Sequence, residues 1–114
     1  MQDRSYNLNL ITNTTNDNEF IRQILSLFEE QSLINLQQLE VSCKNSDWET
    51  VFFIAHKLKS SLVLFQIDPA IEAIKFIEFH AKQRSQPLKI AERIAELETI
   101  VHNVIRQMKS DHQL

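Results

Sequence analysis

The stretch from Ser46 to Gln66 reads SDWETVFFIAHKLKSSLVLFQ and has the clearest helical pattern in the chain. Ser46 is followed three residues later by Glu49, which is the capping-box spacing, so we place the start of a helix at Ser46. At 3.6 residues per turn, one side of this helix carries a mostly apolar stripe: Val51, Ile54, Leu58, Ser61, Leu62 and Phe65. The stripe predicts a helix that packs in a core.

The opposite side of the same helix carries a histidine. One lysine lies on the same face as this histidine, and a second lysine is its neighbour in sequence. His56 points away from the apolar stripe, Lys59 follows it by about one turn, and Lys57 flanks it. A negatively charged group attached to His56 would therefore meet one or two ammonium groups. Exposed apolar side chains around a polar centre are typical of a docking surface for another protein. The predicted docking residues are Phe52, Ser60 and Val63.

Three further helices are predicted around this segment. One covers about 17–44, with Asn16 or Asp17 as its N-cap, Asn45 as a left-handed C-cap and a kink at Gln31-Ser32. Its expected inner face consists of Phe20, Ile21, Ile24, Leu25, Leu27, Phe28, Leu33, Ile34, Leu36, Leu39 and Cys43.

The other two helices follow the central one, which ends near residue 66. Asp68 as N-cap and Pro69 at the first helical position predict a helix over about 69–84, with Phe76 and Phe79 towards the core. Ser85-Gln86-Pro87 separates it from a last helix over about 88–109, after which 110–114 are expected to fray. Residues 1–15 are expected to form a short N-terminal cap segment.

These patterns predict an all-α fold. Amphipathic helices over about 17–44, 47–66, 69–84 and 88–109, with short connections and no strand pattern, favour an antiparallel, up-down-up-down four-helix bundle. We expect one monomeric domain over 1–114.

Composition excludes several classes of function. A net charge of -3 without a basic run gives no support for nucleic-acid or membrane binding. The single cysteine, Cys43, cannot form an internal disulfide, which fits a cytoplasmic protein. The chain has no glycine, and the loops that bind ATP phosphates need glycine, so we expect no ATP-dependent kinase activity.

The central helix resembles that of histidine-containing phosphotransfer (HPt) domains, whose signature is His-x-Leu-Lys-Gly-Ser followed by a small hydrophobic run and a second glycine. His56, Leu58, Lys59 and Ser61 match it. Ser60 and Gln66 stand where the family usually has its two glycines. The resemblance covers roughly residues 6–109.

The resemblance implies a phosphorelay intermediate. His56 would accept a phosphoryl group on Nε2 from a receiver-domain aspartate and pass it to another receiver, with Lys59 and Lys57 countering its charge. The implied partners are response-regulator receivers and hybrid histidine kinases. We expect the domain to be either free-standing or cut from a hybrid kinase. No cofactor is expected on this chain, since the family places Mg²⁺ on the receiver.

One alternative remains from the residues alone, and the residues speak against a second. A helical adaptor could dock receivers or kinases without transfer, and the departures at Ser60 and Gln66 favour it. A di-iron bundle would need glutamate three residues before its histidines, but Phe53, Ile77 and Thr99 stand there. His80, His102 and His112 have no comparable motif around them and are expected at the surface or at the edge of the core.

Overall fold

The computed structural model describes residues 5–114, and this range contains five α-helices and no strand. Residues 1–4 of the predicted cap segment lie outside the described residues. The helices are α1 (Asn9–Thr12), α2 (Asn18–Lys44), α3 (Trp48–Leu64), α4 (Asp68–Gln83) and α5 (Pro87–His112). Helix α2 packs along α3 and α5, and α4 packs along the same two helices. The all-α prediction is confirmed, and no helix in 5–114 is long and apolar enough to cross a membrane.

The segment before α2 joins the end of α3 to the end of α5. Tyr6 is buried, and its hydroxyl lies 2.6 Å from a carboxylate oxygen of Asp111 in α5. The backbone N–H of Asn7 donates to the carbonyl of Phe65 at 2.8 Å. The Tyr6–Asp111 contact holds the last turn of α5, and the Arg22 guanidinium also donates to the carbonyl of Gln113. The expected fraying from residue 110 was therefore wrong, since α5 continues to His112.

The helix starts agree with the sequence at one position and differ at two. Asp17 caps α2, because its carboxylate accepts the N–H groups of Glu19 and Phe20. The N-cap of α3 is Asp47 rather than Ser46, and its carboxylate accepts from the N–H of Thr50. Asp68 lies in the first turn of α4 rather than at its N-cap, where its charge still suits the positive end of the helix dipole.

The four long helices each end in a left-handed residue although the chain has no glycine. Ser46, Gln66, Arg84 and Gln113 have φ of 54°, 52°, 52° and 56°. After each, the next N–H bonds back to a carbonyl in the last turn, as Ile67 does to Leu62 at 3.0 Å, which is the Schellman arrangement. Asn45 has φ −88°, so the left-handed residue after α2 is Ser46 rather than Asn45.

The core lies where the four long helices face one another, but several apolar residues predicted to be internal are exposed. Phe20, Leu27, Leu33 and Ile34 of α2 are on the surface, and so is Phe79 of α4. The α2 residues are exposed because the neighbouring helices α3 and α5 cover only part of the circumference of α2. Gln31 and Ser32, the expected kink, lie within the continuous helix α2.

Candidate functional site

His56 lies in the middle of α3 with its side chain turned outward. Its neighbours Ala55 and Leu58 are buried, which fixes the rotation of the helix. The His56 side chain is 66% exposed as a result. The imidazole is therefore accessible to another protein.

The side chain of Glu78 connects this histidine to a lysine. Glu78 lies on α4, and its Oε2 is 3.1 Å from Nδ1 of His56. Its other oxygen, Oε1, accepts a hydrogen bond from Nζ of Lys59 at 2.9 Å. The Glu78 side chain is only 18% exposed, so this bridge is shielded from solvent on the α4 side. One carboxylate on α4 thus contacts both the imidazole and the ammonium group, which lie on α3.

The bridge keeps Glu78 ionised. Burial by itself would raise the pKa of the Glu78 carboxyl, but hydrogen bonds from Lys59 and His56 outweigh it and hold the pKa below its ordinary value. A carboxylate is an acceptor only, so the neutral imidazole must carry its proton on Nδ1 to make this bond. Nε2, which has no hydrogen-bond partner within residues 5–114, then presents its lone pair to the outside.

An aromatic ring lies beside the imidazole, and a second cation lies beside that ring. The ring of Phe52 is stacked on that of His56, with 6.0 Å between centroids and 16° between planes. Nζ of Lys82 lies 5.9 Å from the Phe52 centroid, within the range of a cation–π contact. Lys82 follows Glu78 by about one turn of α4, so α4 contributes both an anion and a cation to the surroundings of His56.

The structure separates the two lysines predicted from the sequence. Lys59 is half-buried and ion-paired with Glu78. Lys57 is exposed and forms no ion pair in the part of the chain that the structure describes. Lys59 is thus fixed near the imidazole, whereas Lys57 is free to move in solvent.

The predicted docking residues lie on the same outer surface. Val63 is exposed and Phe52 is half-buried under its contacts with His56 and Lys82. The Ser60 hydroxyl donates to the carbonyl of Lys57 at 3.0 Å, so it is bonded to its own helix. A serine in place of glycine therefore adds a small side chain that is folded back.

Glu78 and Lys82 were missed by the sequence analysis. Both belong to the outward part of an amphipathic helix, where a carboxylate and a lysine are ordinary surface residues. Which residue of α4 faces His56 depends on the offset between α3 and α4, and that offset is set by packing. The two residues could have been identified only by placing α4 against the outer face of α3.

The other histidines lack such an arrangement. His80 lies between Phe76 and Phe79 and pairs through Nδ1 with the Ser85 hydroxyl at 2.8 Å, which holds it against the end of α4. His102 is exposed. His112 is half-buried at the end of α5. No group of three or more His, Cys, Asp or Glu side chains within 5–114 could hold a metal ion.

Comparison with known proteins gives one match. The family model described as the Hpt domain matches residues 23–110, which include all of α3 and α4 and most of α2 and α5. No curated protein and no solved structure gives a significant match. The matched range contains His56, Lys59 and Glu78, so the site described above lies inside it.

Proposed function

Because the chain belongs to the Hpt domain family, we propose that His56 accepts a phosphoryl group from the aspartate of one receiver domain and passes it to the aspartate of another. Hpt domains are phosphotransfer intermediates of phosphorelays and not kinases. The observation that carries the proposal is the exposed imidazole whose Nδ1 is bonded to Glu78, so that Nε2 faces solvent.

The reaction needs little from this chain beyond positioning. The Nε2 lone pair attacks the phosphorus of the aspartyl phosphate, the N–P bond forms, and the O–P bond breaks to release the receiver's carboxylate. The imidazole keeps its Nδ1 proton and gains positive charge as the bond forms. Glu78, 3.1 Å away, stabilises that charge, and the same contact orients the ring in both directions of transfer.

Lys59 supports the charge on the other reactant. Its ammonium lies one helical turn from His56 and is held by Glu78 at 2.9 Å. A phosphoryl group on Nε2 brings oxygens with a charge near −2, towards which this ammonium can turn. Lys57, which follows His56 in sequence, and Lys82, whose ammonium lies over the Phe52 ring, can both add to the same field.

The partner would meet the outer face of α3. Phe52, Ser60 and Val63 lie along the His56 side of that helix and form the proposed receiver-docking surface. Hybrid histidine kinases, which carry receivers, are proposed partners for the same reason. The Mg²⁺ of the reaction belongs to the receiver, so no step is derived through a metal on this chain.

Two further proposals concern the whole molecule. Short connections and the packing of α2 and α4 against α3 and α5 support an antiparallel four-helix bundle capped by the segment before α2. The single cysteine, Cys43, cannot form an internal disulfide, which supports a cytoplasmic location.

The test is a two-step transfer experiment. The protein is mixed with a phosphorylated receiver, separated from it, and then mixed with a second, unlabelled receiver. Label should move onto this chain and then off it. The adaptor alternative predicts binding to both receivers without label on this chain, so that result would reject the proposal in its favour.

A further inference from the structure

Helix α2 carries a line of exposed apolar side chains that the proposed transfer does not use. They are Phe20, Leu27, Ile34 and Val41, each between 46% and 56% exposed. Consecutive members are seven residues apart. We call this set the α2 stripe. Its members lie on the surface of α2 and are about half exposed, and Ile34 and Val41 border Thr50 and Ile54 of α3.

The spacing of the α2 stripe fits one kind of occupant. Apolar residues at seven-residue intervals drift by about 20° per heptad on a straight helix, and a second helix follows that drift by wrapping around the first with a left-handed twist. At 1.5 Å per residue the stripe is about 31 Å long. A flat protein surface would not follow this line, whereas another long helix would.

The residues three and four positions after each stripe member are mostly uncharged. On one side lie Gln23, Glu30, Gln37 and Lys44, and on the other lie Ile24, Gln31, Gln38 and Asn45. Two copies of a protein with a net charge of -3 repel each other, so they associate only through surfaces whose residues do not add to this repulsion. Six uncharged residues out of eight make this face suitable for a second copy.

We propose that two copies of this chain pair through their α2 stripes in a parallel, in-register dimer. In that arrangement each stripe residue meets its own counterpart, Glu30 faces Gln31 of the second copy, and Lys44 faces Asn45 of the second copy. Antiparallel pairing that aligned all four residues would instead bring the two Glu30 carboxylates together at the two-fold axis. Charge therefore favours the parallel arrangement, which departs from the monomer expected from the sequence.

The dimer leaves the phosphotransfer site open. His56 lies on the side of α3 that faces α4, where it contacts Glu78, whereas the stripe lies on the outer side of α2. A dimer of this kind presents two transfer sites to receivers.

The first experiment measures mass against concentration by sedimentation equilibrium, up to about 1 mM. The wild type should approach twice the monomer mass of 13.4 kDa, and Leu27→Glu should weaken dimerisation about tenfold or more. Leu88→Glu is the matched control, since Leu88 is an exposed leucine on α5 outside the stripe, and it should dimerise as the wild type does. Ile34→Gln, a neutral change, replaces Leu27→Glu if that variant loses its helical circular dichroism.

A second experiment tests the orientation by cross-linking. Phe20→Cys and Val41→Cys are each made in a Cys43→Ser background and oxidised. Parallel pairing predicts that each variant forms a disulfide with itself. A wild type that stays monomeric throughout, a stripe variant that dimerises like the wild type, or a disulfide found only when the two cysteine variants are mixed would each overturn the proposal. None of these outcomes depends on whether His56 is phosphorylated.

Discussion

Nδ1 of His56 lies 3.1 Å from Oε2 of Glu78, and the other oxygen of the same carboxylate is 2.9 Å from Nζ of Lys59. The Glu78 carboxylate on α4 thus joins the imidazole to Lys59, and both of these residues lie on α3. It leaves Nε2 facing outward and gives the ring a fixed proton position. A single partly buried carboxylate can therefore position both the proposed nucleophile and its supporting cation.

Removing Glu78 should slow transfer without unfolding the protein. A hydrogen bond to a charged group is worth about 1.5–3 kcal/mol, which corresponds to a rate reduced by roughly ten- to a hundredfold in Glu78→Ala. Glu78→Gln keeps an acceptor for Nδ1 but loses the charge, so its rate should lie between those of the wild type and Glu78→Ala. Transfer from a labelled receiver gives the rates, with circular dichroism as the control for folding. Equal rates in all three proteins would show that Glu78 has only a structural role.

The two lysines next to His56 should differ in their effect. Lys59 is held beside the imidazole, whereas Lys57 is exposed and unpaired within the described residues. Lys59→Ala should therefore slow transfer about tenfold, and Lys57→Ala should change it by less than about threefold. Both rates are measured with the same receiver at low salt. If Lys57→Ala is the slower of the two, the charge role belongs to Lys57.

Substitutions on the two sides of α3 should separate docking from folding. Val63 is exposed beside the site, so Val63→Asp should weaken receiver binding by roughly tenfold and slow transfer equally while thermal unfolding stays nearly unchanged. Leu58 is 1% exposed, and Leu58→Asp should unfold the protein by placing an unpaired charge in the core. Calorimetry and binding titration on both variants provide the comparison. A Val63→Asp protein that unfolds would mean that this side of α3 is part of the core.

Replacing the left-handed glutamine after α3 should stabilise the fold. Gln66 has φ 52°, which costs a residue with a Cβ about 1–2 kcal/mol relative to right-handed backbone. Gln66→Gly should raise the free energy of unfolding by about 1 kcal/mol, as measured by urea denaturation. Gln31→Gly, in the middle of α2, is the control and should lower it by about the same amount. A Gln66→Gly protein less stable than the wild type would show that the side chain at 66 contributes more than the turn costs.

Local sequence signals predicted the helices well and their rotation only in part. Asp17 and Pro69 mark helix starts through bonds or ring geometry within one turn, so they can be identified without knowing the fold. Leu27 and Ile34 were expected inside because α2 has apolar residues on more than one side. Periodicity cannot say which side meets a neighbour when both are apolar.

The candidate site was also predicted only in part, because some of its features are local and others depend on packing. The position of His56 on the outer face followed from the period of α3 alone. Glu78 is separated from it by 22 residues and reaches it only because α4 packs against α3 at a particular offset. The left-handed backbone at Ser46 was assigned to Asn45 because residue preferences, rather than hydrogen bonds, were the available guide.

The most direct test of the account is to locate the phosphoryl group. Wild-type protein and His56→Gln are incubated with the same phosphorylated receiver, and label on this chain is tested for acid lability, alkali stability and position by mass spectrometry. The account predicts phosphohistidine at His56 in the wild type and no label in His56→Gln, with unchanged helical content because the side chain is exposed. Label that persists in His56→Gln, or that maps to His80 or His102, would contradict it.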